Sequence, residues 1–133
     1  MLEWKGDYSV GVERLDAQHR KLFDYFNELE GAMRKGRGRD VIGQVLANLA
    51  SYTREHFRQE EELMRRVAFP ALERHRQAHE AFVARVQELV RRQAEGDTSV
   101  TVEAAHSLAD WLSKHILGMD REYAPYMAKA KVA

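Results

Sequence analysis

No cysteine occurs among the 133 residues. That absence removes disulfides, thiolate zinc sites, iron–sulfur clusters and cysteine nucleophiles together. Only two prolines, Pro70 and Pro125, interrupt the chain, so long uninterrupted helices are permitted. No stretch approaches the ~18 continuous apolar residues of a membrane span. An excess of one charge is also missing, because Lys plus Arg and Asp plus Glu both number 21. A balanced chain has no electrostatic footprint for nucleic acid or an anionic membrane. The amino terminus, Met1-Leu2-Glu3-Trp4-Lys5, carries acid early and has no apolar segment of the kind a signal peptide needs. The expectation is a soluble cytoplasmic protein with no nucleic-acid partner and no membrane span.

What remains is ordinary for a globular domain, with 44% apolar and 32% charged residues. The length suits one domain and one core. Four segments carry apolar residues at spacings of three and four, and no alternating pattern competes with them. The first runs from about Leu15 to Lys35 and ends in Gly36-Arg37-Gly38-Arg39; Asp40 is a plausible N-cap for the second, which continues to about Val67 before Phe69-Pro70. The third runs from about Ala71 to Glu95 and closes at Gly96-Asp97. Thr101 is placed to cap the fourth, which reaches about Ile116, and a short helical tail follows Asp120. Helices of this length joined by short turns pack most simply as an all-α, antiparallel up-down-up-down four-helix bundle. Trp4, Tyr8, Val10 and Val12 give the first fourteen residues the character of an extended arm lying across it. The whole of 1–133 thus reads as a single domain: arm about 1–14, bundle about 15–117, tail about 118–133.

The informative residues are the polar ones on the apolar stripes. In the first helix His19 lies four after Leu15 and three before Leu22, inside the stripe that continues through Phe23, Phe26 and Leu29. His56 and Glu60 fill the gap between Tyr52 and Leu63 in the second helix. His75 and His79 fill the gap between Leu72 and Phe82 in the third. His115 stands three after Leu112 in the fourth. One such histidine would be an ordinary core residue satisfied by one hydrogen bond, and an i, i+4 pair could be a local helix contact. Six together are different. An uncompensated buried polar group costs roughly 2–7 kcal/mol, and a domain has only ~5–15 kcal/mol of net stability. No Lys or Arg shares these stripes, so a bound metal is the economical compensation.

Asp120 is five residues after His115, which on an ideal α-helix is about 140° away from its face. Spacing alone leaves it undecided; a helix end near Ile116 or Leu117 with a bend at Gly118 would turn it inward. His106 shares the polar side of the fourth helix with Asp110 and Ser113 and reads as solvent-facing, as do Arg58, Gln59, Glu61 and Glu62 in the second. Glu103 and His106 form one E-x-x-H, but it points outward. Five imidazoles and one or two carboxylates exceed the demand of a single ion and suit two. Ligand type alone leaves iron, zinc, nickel and copper open.

The order of these motifs resembles the hemerythrins, and within them the bacterial single-domain bacteriohemerythrins. The resemblance is carried by Val10-Gly11-Val12 through Asp16-Ala17-Gln18-His19, by His56-Phe57-Arg58-Gln59-Glu60-Glu61, by Phe69-Pro70 with His75-Arg76-Gln77-Ala78-His79, and by Asp110-Trp111-Leu112-Ser113-Lys114-His115-Ile116 leading to Asp120. It covers nearly the whole chain. The resemblance implies a non-haem di-iron centre in which His75, His79 and His115 bind one iron and His19 and His56 the other. Glu60 and Asp120 would bridge the pair, with an oxo or hydroxo group as third bridge. It further implies reversible dioxygen binding at an open position on the two-histidine iron, as a carrier, storage or delivery protein; any delivery partner is unknown. Leu112 matches a position that lines the dioxygen pocket, and Ile116, Phe23 and Trp111 are plausible additions. A dioxygen or redox sensor and a di-iron enzyme (peroxidase, nitric oxide reductase or ferroxidase) are the alternatives, with a structural or zinc-storage site a weaker one. No further acid, base or nucleophile lies on the inward stripes, which argues against an enzymatic role.

Overall fold

The computed structural model describes residues 2–132. Four helical runs follow a short 3-10 turn at Gly6–Tyr8: α1 is Glu13–Arg34, α2 Gly38–Arg66, α3 Leu72–Ala94, and a fourth, α4, spans residues 100–129. No strand is present among the described residues, and the runs form the expected antiparallel four-helix bundle. Among the described residues no helix is long and apolar enough to cross a membrane.

The helices form where the apolar periodicity lies, and their ends obey backbone geometry more than the side-chain caps read from sequence. Gly36 and Gly96 take positive φ (70° and 89°) just past α1 and α3, the left-handed conformation that ends helices and that glycine adopts without steric cost. Asp40 is not the N-cap of α2; the helix begins two residues earlier at Gly38. Thr101 is not a cap either. It is buried within the first turn of α4, where Ser99 precedes the helix. There Asp97 Oδ1 accepts hydrogen bonds from the Ser99 amide (2.9 Å) and hydroxyl (2.6 Å).

The largest departure is in α4. Instead of ending near Ile116 and bending at Gly118, the chain stays helical through to Lys129, and two five-residue π turns, Ala104–Leu108 and Ile116–Asp120, interrupt the α geometry. The expected tail helix, Arg121–Lys129, therefore continues the same run. In a π turn the hydrogen bond joins i to i+5, and such bulges recur at functional sites.

The core falls into two parts. The larger cluster includes Leu22, Phe26, Leu29, Val45, Leu49, Phe82, Val86, Leu108, Leu112 and Ile116. Each fully buried side chain of this kind contributes about 1.5–3 kcal/mol. A smaller cluster at the other end joins Val10, Val12, Leu15, Leu63, Met64, Phe69, Tyr123 and Met127. The arm belongs to both. Trp4 and Tyr8 pack edge-on to Phe23 (5.7 and 4.9 Å between ring centres), while Val10 and Val12 enter the smaller cluster. Buried Asp16 anchors the arm between them: its Oδ1 accepts from the Val10 amide at 2.9 Å and its Oδ2 from the Ser9 hydroxyl at 2.6 Å.

Candidate metal centre

Each helix passes from one cluster to the other, and the polar stripe residues occupy the stretch between. In α1, His19 separates Leu15 from Leu22; in α2, Glu60 separates Phe57 from Leu63. In α3, His75 and His79 precede Phe82, and in α4, Asp120 separates Ile116 from Tyr123. The seven residues singled out from sequence are all buried, none more than 5% exposed. They gather into two groups whose donor atoms lie within 4.8 Å of one another: His75, His79, His115 and Asp120 in one, and His19, His56 and Glu60 in the other. Either group could hold a metal ion.

The π turn resolves the position of Asp120. Wrapping residues 116–120 more loosely turns Asp120 back toward the face of His115, and Asp120 Oδ1 lies 3.0 Å from His115 Nε2. The same oxygen is 2.8 Å from His75 Nε2, while Oδ2 reaches His19 Nε2 at 3.1 Å. Glu60 also touches both groups. Its Oε1 is 3.3 Å from His79 Nε2 and 3.4 Å from His56 Nε2, and its Oε2 is 3.1 Å from His19 Nε2.

These distances are short, yet most are not aligned as hydrogen bonds. His75 Nε2, His79 Nε2, His115 Nε2, Glu60 Oε1 and Asp120 Oδ1 are all buried without a hydrogen-bond partner. Buried polar atoms without partners are rare because each costs about 1–3 kcal/mol. Five of them facing a common centre, all of them atoms that can present lone pairs, fit a cation and fit little else.

Charge distribution in the metal-free chain tells the same story. Burial disfavours a charged His19, but the Asp120 and Glu60 carboxylates outweigh it and raise its pKa to about 10. His79 is likewise raised to about 9 against the effect of burial, through Glu60 and Glu61. Burial dominates at His56, whose pKa is lowered. Burial would raise both carboxylic acids, yet the surrounding histidines hold Glu60 and Asp120 below their usual range. Without a metal, the positive charge that the two carboxylates require is supplied by protons on histidine.

Outside this ring the structure contributes residues that the sequence reading missed. Glu61 and Gln59 are not simply solvated. Glu61 Oε2 lies 2.8 Å from His79 Nδ1, and Gln59 bonds to Gln18, whose Oε1 is 2.6 Å from His56 Nδ1. Tyr123, fully buried, donates its hydroxyl to Glu60 Oε2 at 2.5 Å. Phe57 stacks on His79 (3.8 Å, 5°) and Trp111 on His115 (4.4 Å, 11°). Of the four residues proposed for a dioxygen pocket, Leu112, Ile116 and Phe23 are buried in the larger cluster, with Phe23 against the arm. Trp111 is half-buried and borders a surface cavity of about 390 Å³. His106 is exposed, as its polar helix face implies.

Comparison with known proteins agrees with this geometry. A family model described as the Hemerythrin HHE cation binding domain matches residues 10–127. A bacteriohemerythrin of Stenotrophomonas maltophilia is 35% identical over 93% of this chain and 80% of its own length. One from Clostridium acetobutylicum is 27% identical over 92% and 98%. The crystal structure of a wild-type hemerythrin superimposes with a TM-score of 0.87 at 27% identity, covering 96% of this chain and 98% of the other. The chain belongs to the hemerythrin family and is a hemerythrin-type metal-binding protein.

Proposed function

We propose that this chain, as one domain spanning 1–133, binds dioxygen reversibly at a di-iron centre, and that its role is carrying, storing or delivering the gas rather than catalysis. In this reading His75, His79 and His115 hold one iron, His19 and His56 the other, and Glu60 and Asp120 lie between them. The observation that carries it is the disposition of the two carboxylates. Each contacts histidines of both groups, as a bridge between two ions must. A reduced iron pair would supply the electrons that dioxygen accepts on binding, and reversibility requires that it take them back.

The chain's own residues serve that reversibility. Imidazoles outnumber carboxylates, which leaves the metals less electron-rich than a carboxylate-dominated set would. Leu112, Ile116 and Phe23, buried in the larger core cluster, would keep water from the site, and Trp111 stacks on His115. Among the described residues Tyr123 is a further titratable group in contact with one of the two carboxylates, Glu60. Burial and the nearby carboxylates raise its pKa well above 10, and its hydroxyl donates to Glu60 Oε2 and steadies that carboxylate.

The test is spectroscopic. Protein loaded with ferrous iron under anaerobic conditions should gain a visible band on admitting dioxygen and lose it when the gas is removed, over repeated cycles. A band that never reverses, with steady consumption of dioxygen, would replace this reading with an enzymatic one.

A further inference from the structure

The proposed iron positions differ in histidine count, and the surroundings differ again one layer further out. His56 and His79 each turn Nε2 inward toward Glu60 Oε1, at 3.4 and 3.3 Å. Each therefore has its Nδ1 facing outward, and the groups that meet these two nitrogens are chemically unlike.

His79 Nδ1 meets a carboxylate, Glu61 Oε2, at 2.8 Å. A carboxylate can only accept, so it fixes the proton on Nδ1 and leaves Nε2 free to ligate. His56 Nδ1 meets an amide, and an amide could present either end. Here the end is set from outside. Glu55 can only accept, so Gln59 must direct Nε2 toward it (3.0 Å). Gln59 then offers Oε1 to Gln18 Nε2 (2.8 Å), and Gln18 in turn offers Oε1 to His56 Nδ1 (2.6 Å). Arg58 grips Glu55 through two nitrogens, at 3.1 and 2.6 Å. An exposed acid thus dictates, through two glutamines, which nitrogen of a buried histidine carries the proton. The partner that finally touches the ring is neutral.

We propose that this contrast makes the two metal positions unequal: the three-histidine position, backed by the Glu61 carboxylate, is the tighter and fills first, while the glutamine relay from Glu55 keeps the two-histidine position weaker. This rests on the di-metal reading above and extends it to the roles of Glu61, Gln18, Gln59 and Glu55 as positioning residues. The physical basis is that a hydrogen bond to a charged acceptor is roughly twice as strong as one to a neutral acceptor. Sharing the Nδ1 proton with a carboxylate also makes Nε2 a better donor to metal.

Zinc(II) tests this without redox chemistry. Calorimetric titration of the metal-free protein should resolve two steps. Glu61→Gln, a substitution of equal size at a half-buried position, should weaken the tighter step by about 10- to 100-fold and leave the other in place. Gln18→Glu should do the reverse, tightening the weaker step. The His79 Nδ1 proton resonance of the zinc-loaded protein should move in Glu61→Gln and hold its place in Gln18→Glu, which a general loss of structure would not produce. Two equal zinc steps, or a Glu61→Gln variant that titrates as the parent does, would overturn the inference while leaving the di-metal site intact. Failure of the parent protein to bind zinc at all would overturn both.

Discussion

Raising the pH should destabilise the metal-free protein and leave the metal-loaded protein unaffected. His19 has a pKa of about 10 in the folded chain and His79 about 9, against an ordinary value of 6.5. A histidine that holds its proton more tightly when folded contributes stability in full below 6.5. It loses that contribution as pH rises through its folded pKa. One pKa unit is worth about 1.4 kcal/mol. Both histidines face Glu60, so their contributions overlap, and the combined loss between pH 6.5 and 10 is on the order of 5 kcal/mol. That is a large part of the ~5–15 kcal/mol typical of a domain and corresponds to a drop of roughly 20 °C in Tm. The acid side falls as well. Glu60 and Asp120, with pKa values below the usual range, contribute in full above their unfolded values of about 4 and lose that contribution only below them, so their loss adds to the decline at the acid extreme. Buried His56, with its pKa lowered, resists the charge that acid imposes. Thermal melts of chelator-treated protein from pH 5 to 10 should therefore peak near pH 6.5. With metal in place the carboxylates no longer depend on histidine protons, and the alkaline decline should disappear. A metal-free protein as stable at pH 9.5 as at 6.5 would refute the charge assignment.

Other perturbations isolate single parts of the structure. Leu112→Ala removes a buried side chain from the larger core cluster and, if dioxygen binds as proposed, should hasten autoxidation, read from the decay of the visible band; an unchanged rate would remove the proposed pocket role. Tyr123→Phe keeps the packing but deletes the hydroxyl that donates to Glu60, and should cost about 1–3 kcal/mol in denaturant titrations. Asp16→Ala strips the Ser9 and Val10 donors of their acceptor; tryptic cleavage at Lys5 should accelerate while the far-ultraviolet helix signal is retained.

Most of the fold and six of the seven candidate site residues were legible because α-helical spacing carries them. His19, His56, Glu60, His75, His79 and His115 interrupt apolar stripes at intervals of three and four, and in a regular helix that interval alone specifies the inward face. Asp120 was not legible by the same rule, since the π turn at Ile116–Asp120 abandons the 3.6-residue period on which it depends; only the family likeness pointed to it. Tyr123 lay beyond the expected end of the helix for the same reason. Gln18, Gln59 and Glu61 sit on the flanks of their helices, half-buried, where hydrophobic patterning does not separate a residue touching a buried ring from one facing water. Asp16 is three residues before His19 on the same side of α1, and its partners belong to the arm, whose path no periodicity describes. The glycine after each of α1 and α3 was readable as a stop, whereas the caps at Asp40 and Thr101 failed because other backbone geometry began those helices.

In the proposed centre two irons lie between Glu60 and Asp120, one facing three histidines and the other two. An anomalous difference map collected at the iron absorption edge, from crystals of the iron-loaded protein, measures this directly. Two peaks are expected within the bundle, one bounded by His75, His79 and His115 and one by His19 and His56, with both carboxylates reaching each. A single peak, or iron located anywhere outside these seven residues, would contradict it.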